Sequence, residues 1–157
     1  MSYAFGPPAS WHALPDEERK KRSNLSSEQC IIDGQYFFLR GLIEIPVLDS
    51  CDNFYWDVWV SVSAANFHRS SALWGTVGRE NEPAFFGWLN TLIPIYPNRA
   101  DLKAMVHTRP VSERPLIELE PTDHPLAIEQ RNGITLKRVQ EIAEGLEHRN
   151  SLRPGAN

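Results

Sequence analysis

Two hydrophobic periods divide the chain. Near its start, Cys30-Ile31-Ile32 and the stretch Tyr36 to Val47 are apolar runs on either side of Asp33-Gly34, and Asp-Gly between such runs is the strongest short-range signal for a hairpin. Side chains alternate across a strand, so Phe37, Leu39, Ile43 and Ile45 share one face, and Tyr36, Phe38, Arg40, Leu42 and Glu44 share the other. Phe54 to Ser63 repeats the pattern: Phe54, Trp56, Val58, Val60 and Val62 are apolar throughout, whereas Tyr55, Asp57, Trp59, Ser61 and Ser63 mix aromatic and polar groups. Ser63 can cap a following helix that carries Phe67 and Trp74 on one stripe. Phe85 to Leu92, bracketed by Pro83 and Pro94, reads as a further strand.

Leu102 to Arg109 and Leu116 to Glu120 form a pair joined by Pro110 to Pro115. With Lys103 opposite Glu120, Met105 meets Glu118 and His107 meets Leu116, which gathers Leu102, Ala104, Val106, Ile117 and Leu119 on one side. A slip of one residue would bury both glutamates among those apolar groups at a cost of several kcal/mol, on the order given for buried charges, so the first register is expected. The period then lengthens. Asp123 can cap a helix to about Gln130 that Gly133 closes, and Thr135 can cap a last helix to about His148 with Leu136, Val139, Ile142, Ala143 and Leu146 on one stripe. Ahead of the strands, Pro15-Asp16-Glu17-Glu18 opens a short helix that ends in Arg19 to Arg22, acids first and bases last as the helix dipole favours. Residues 1–12 are expected to lie extended against the body, and residues 150–157 to form a disordered tail.

These elements predict a single α+β domain over residues 1–157. Its largely antiparallel sheet has five to six strands, with a central helix and a C-terminal helix pair packed on it. A chain of this length can bury about 70% of its unfolded surface and needs no disulfide or metal to hold a core.

Composition narrows the functional classes. The 16 Lys and Arg against 20 Asp and Glu leave a formal charge of −4, which argues against a nucleic-acid partner. The absence of a basic leader or long apolar run predicts a cytoplasmic protein without membrane association. Cys30 and Cys51 belong to no metal or redox spacing, and no GxGxxG or GxxxxGK[ST] pattern occurs, so no cofactor is expected.

The segment Pro115-Leu116-Ile117-Glu118-Leu119-Glu120-Pro121-Thr122-Asp123-His124-Pro125-Leu126-Ala127, together with Phe38-Leu39-Arg40-Gly41, Asp57-Val58-Trp59-Val60-Ser61, Phe86-Gly87-Trp88-Leu89 and Val106-His107-Thr108-Arg109, resembles a bacterial family known as domain of unknown function 2199. The resemblance spans nearly the whole chain. It implies a shared fold but no activity and no catalytic residues. Many members carry a Cys-x-x-Cys ribbon ahead of the domain. This sequence starts with Met1 to Phe5 after that point, so a zinc role attached to such a ribbon is not expected of it.

Two functional readings compete. In the first, the mixed sheet faces form one surface that offers Arg40, Glu44, Asp57, Trp59, His107, Arg109, Glu118 and Glu120 to a protein partner or small polar ligand. The chain would then be a non-enzymatic binding module, one version being an acidic protein that neutralises a basic bacterial toxin. The bland alternative is that Arg40 and Arg109 merely pair with neighbouring acids beneath a covering element. The second reading is a small hydrolase or divalent-metal-assisted enzyme. Glu118, Glu120, Asp123, His124 and Glu129 form the densest acid and imidazole cluster, and with His107 they supply candidate catalytic residues (His107, Asp123, His124) and candidate metal ligands (Glu118, Glu120, Asp123, His124). Their spacing matches no established metal motif, and Asp123 is also explained as a cap, so the expectation is no bound metal.

Overall fold

A computed structural model describes residues 1–98 and 102–151. Eight strands and five α-helices form: β1 (Ser2–Ala4), α1 (Ala9–His12), α2 (Asp16–Arg22), β2 (Ser23–Leu25), β3 (Gln29–Ile32), β4 (Tyr36–Ile45), β5 (Phe54–Val62), α3 (Ala64–Ala72), β6 (Phe85–Leu89), β7 (Lys103–His107), β8 (Leu116–Leu119), α4 (Pro125–Asn132) and α5 (Leu136–Ser151). The mixed α+β class, the Asp33-Gly34 hairpin, the Ser63 cap and the two C-terminal helices stand as expected.

The sheet is not open. Strands β4 to β8 run up and down in chain order, and β4 pairs both with β5 and with β8, so the five close into a small barrel. Five alternating strands leave the first and last pointing the same way, which is why the closing β4–β8 pair is parallel. Strand β1 adds a second parallel pair on β5, and β3 and β2 extend the sheet beyond β4. The three-residue strands β1 and β2 carry too little alternation to show in the sequence, so residues 1–12 are a strand and a short helix rather than simply extended.

The free edge of β4 is divided. Its first half holds β3, and at Leu42 it turns to β8, where the carbonyl of Pro115, just ahead of that strand, accepts the Leu42 amide at 2.9 Å. Gly41 stands at this junction because any Cβ there would lie 2.7 Å from the Ile117 side chain and 2.9 Å from the Pro115 oxygen.

The β7–β8 register is the one that keeps the glutamates out of the core: Met105 faces Glu118 and His107 faces Leu116. Ile43, Trp56, Val58, Val60, Ala104, Val106, Ile117 and Leu119 are buried in one core, joined by Leu126, Val139, Ile142 and Leu146 from the C-terminal helices. Phe67 of α3 packs on Phe37 with ring centroids 5.0 Å apart.

A smaller second core forms outside the barrel. Cys30, Ile32, Phe38 and Trp59 pack there with Trp11 of α1 and Leu14 from the turn between α1 and α2. Trp59 is only 3% exposed and its indole Nε1 donates to the Gly6 carbonyl at 3.0 Å, so it belongs to this core and offers no ligand platform. Trp74 lies beyond the end of α3, half-exposed, and Leu136 sits on the open edge of α5. The cap of α4 is His124 rather than Asp123. The expected tail falls largely outside the described residues; α5 itself continues to Ser151.

Candidate functional site

The mixed outer faces of β4, β5, β7 and β8 divide into a polar network, a large cleft and a shallow one. The large cleft, about 860 Å³ in volume, lies between α3 and the turn after it on one side and the β7–β8 loop on the other. Such a volume is typical of sites for small molecules. Among the described residues five arginines line it, Arg40, Arg69, Arg79, Arg109 and Arg114, together with apolar groups that include Leu42, Trp74, Phe85 and Val111.

Its floor is a charge network. Arg40 Nε donates to Asp57 Oδ1 at 2.7 Å and Nη2 to Oδ2 at 3.0 Å. Arg114 Nη1 reaches the same Oδ2 at 2.9 Å, while its Nη2 and Nε grip Glu28 at 2.8 and 2.9 Å. The hydrogen bonds to Glu28, and then the charge of Asp57, hold the Arg114 guanidinium above its ordinary range. The bland expectation for Arg40 is therefore correct in its chemistry: it pairs with a neighbouring acid, and Asp57 is buried.

Arg79 joins the two walls. It occupies a short 3-10 turn, Arg79–Asn81, and is itself buried. Its guanidinium donates to four carbonyls: Trp74 at 3.1 Å from one wall, and Arg109 at 2.8 Å, Pro110 at 3.1 Å and Glu113 at 3.0 Å from the other. The loop it holds includes Ser112 with φ of 76°, a left-handed conformation that an L residue adopts only under constraint. Arg109 donates through Nε to the Arg114 carbonyl at 2.6 Å, and its Nη1 stands 3.7 Å from Glu113.

The shallow cleft, about 360 Å³, brings Glu44, His107 and Glu118 together with Gln130 and Arg131. Here His107 Nε2 lies 3.0 Å from Glu118 Oε1, with both side chains exposed. Glu120 and Asp123 are exposed as well.

His124 is not part of that group. It is 3% exposed; its Nδ1 accepts the Leu126 amide at 3.1 Å, which requires the proton on Nε2, and Nε2 lies 3.1 Å from the Pro97 carbonyl. Both ring nitrogens are thus engaged in holding the loop, which leaves neither free to ligate a metal or move a proton in this arrangement. Glu129 pairs with Arg138 at 3.0 Å instead. Among the described residues no group of three or more His, Cys, Asp or Glu is placed to hold a metal ion.

Sequence reasoning missed Glu28, Arg79 and Arg114. All three stand in turns or loops, where no period assigns a face, and only the return of the chain brings them to the strands.

A family model described as an uncharacterized protein conserved in bacteria (DUF2199) matches residues 1–134. No curated protein and no solved structure matches the chain. No helix among the described residues is long and apolar enough to cross a membrane.

Proposed function

The chain belongs to the bacterial family DUF2199, and from its own geometry we propose that it is a non-enzymatic binding module whose working surface is the arginine-lined cleft. One observation carries the reading: a concave volume of about 860 Å³ whose two walls are held together by the buried Arg79. A site fixed before binding loses little entropy when it is filled. The reading favours a small polar ligand over a flat protein surface as the occupant.

The toxin-neutralising version would have to work elsewhere, because a basic toxin surface would meet like charge at these arginines. The exposed acids Glu118 and Glu120 would be its place. The enzymatic reading rests on the shallow cleft, where His107 lies beside Glu118 at 3.0 Å. A carboxylate there can orient an imidazole as a base. The same cleft has lost His124 as a partner.

A fragment library screened by nitrogen-15 NMR against the full chain separates the readings. Binding should move the amides of Leu73 to Gly75, of Thr108 and Arg109, and of Val111 to Arg114. Shifts confined to His107 and Leu116 to Leu119 would overturn the assignment and favour the alternative.

A further inference from the structure

The arginine cleft has a positive excess that appears when its charges are matched partner by partner. Arg40 and Arg114 are offset by Asp57 and Glu28, and Arg69 by Glu82 at 2.5 Å. Arg109 has Glu113 only at 3.7 Å, beyond hydrogen-bond length. Arg79 makes no ion pair among the described residues; four carbonyl dipoles hold its charge, with the Trp74 ring 5.8 Å from its guanidinium carbon. The chain as a whole carries −4, so this local excess of cations is opposite to its global balance.

Arg109 is also incompletely used. Its Nε is spent on the Arg114 carbonyl, but neither terminal nitrogen makes a hydrogen bond among the described residues. A guanidinium with that edge free is a planar fork matched to two oxygens of one carboxylate or phosphate. The backbone that carries the fork is held by Arg79, which donates to the carbonyls of Arg109, Pro110 and Glu113, and the Nε bond to the Arg114 carbonyl anchors the guanidinium itself. Trp74 presents apolar surface from the opposite wall, and Leu42, Phe85 and Val111 add to it elsewhere in the lining.

We infer that the cleft takes a small organic anion, its carboxylate or phosphate on the terminal nitrogens of Arg109 and its apolar body against Trp74, Leu42 and Phe85. This rests on the functional reading above and adds to it the charge of the ligand. Glu113 would turn aside as the anion enters.

The test uses three probes on the full chain: 4-phenylbutyrate, its primary amide, and 3-phenylpropyl phosphate, titrated by calorimetry and by NMR. At least one anion should bind and shift the amides of Arg109 and of Val111 to Arg114, with the neutral amide at least about tenfold weaker, the size expected when a charge-assisted bidentate contact is lost. The stronger of the two anions identifies the headgroup. Arg109→Met should bring anion and amide to equal affinity, and Arg109→Lys, which keeps the charge without the fork, should fall between. Equal binding of butyrate and amide to the unaltered chain would overturn the inference while leaving the cleft as a binding site. So would failure of both anions where neutral fragments bind. Failure of every fragment to reach the cleft would instead remove the functional reading beneath it.

Discussion

The guanidinium of Arg40 meets the carboxylate of Asp57 through two hydrogen bonds, Nε to Oδ1 at 2.7 Å and Nη2 to Oδ2 at 3.0 Å, on a diagonal across β4 and β5. Arg114 arrives from the β7–β8 loop to share Oδ2 at 2.9 Å. Asp57 thus joins a strand pair to a loop far along the chain. Its side chain is 10% exposed, so water cannot replace what the arginines lose if the charge is removed. Asp57→Asn is expected to cost about 2–3 kcal/mol, somewhat below the range for a fully buried broken pair. Urea denaturation measures it; a loss under about 0.5 kcal/mol would mean that solvent screens the pair.

Arg79→Met leaves four carbonyls without their donor. With each buried unsatisfied group costing about 1–3 kcal/mol and the loop free to relax, a loss of about 3 kcal/mol or more is expected. The amides of Pro110's neighbours, Arg109 and Val111, should gain hydrogen-exchange rate ahead of global unfolding. Unchanged exchange there would show that the loop holds itself.

Gly41→Ala should be destabilising by about 1–3 kcal/mol, since a methyl at that site overlaps Ile117 and the Pro115 oxygen where the barrel closes. Gly75→Ala is the control, with open space around the added Cβ. Similar melting temperatures for the two variants would refute the close approach of β8 to β4.

The tryptophans give a comparison that opposes the sequence expectation. Trp59→Ala should cost about 3–5 kcal/mol, as for a large core aromatic, because Trp59 is 3% exposed among Phe38, Cys30 and Ile32. Trp88, 39% exposed beside Phe86, should cost under about 1 kcal/mol when replaced by Ala. Thermal melts of the two variants decide between these assignments.

Burial pushes the Cys30 thiol from its ordinary 9.0 up to about 11, and likewise raises the Tyr96 hydroxyl from 10.0 to about 12. In both cases the folded state holds the proton longer than the unfolded chain, so the stabilisation is full below about pH 9 and is lost as pH rises to about 12. The denaturation midpoint should therefore fall over that window. At pH 8 a thiol reagent should modify one cysteine per native chain, the exposed Cys51, and two after unfolding. Two fast equivalents in the native protein would contradict the burial of Cys30.

What the sequence determined by itself is tied to local period and local cost. The two-residue repeat of the pleat placed Ile43, Trp56 and Val106 inward, and the desolvation cost of Glu118 and Glu120 chose the β7–β8 register. Ser63, Thr135 and Gly133 stood where capping chemistry needs them. Asp123 and His124 were harder to separate, because adjacent residues can each cap and only backbone direction decides between them. Only the tertiary structure decided the closure of β4 onto β8, since pairing between distant strands leaves no period in either. It also decided the fate of the outer face: the N-terminal segment buried Trp59, Arg114 and Glu28 came to Asp57 and its network from turns and loops, and Arg79 came to the β7–β8 loop. Alternation shows which way a strand residue points, but what meets it there depends on where the rest of the chain returns.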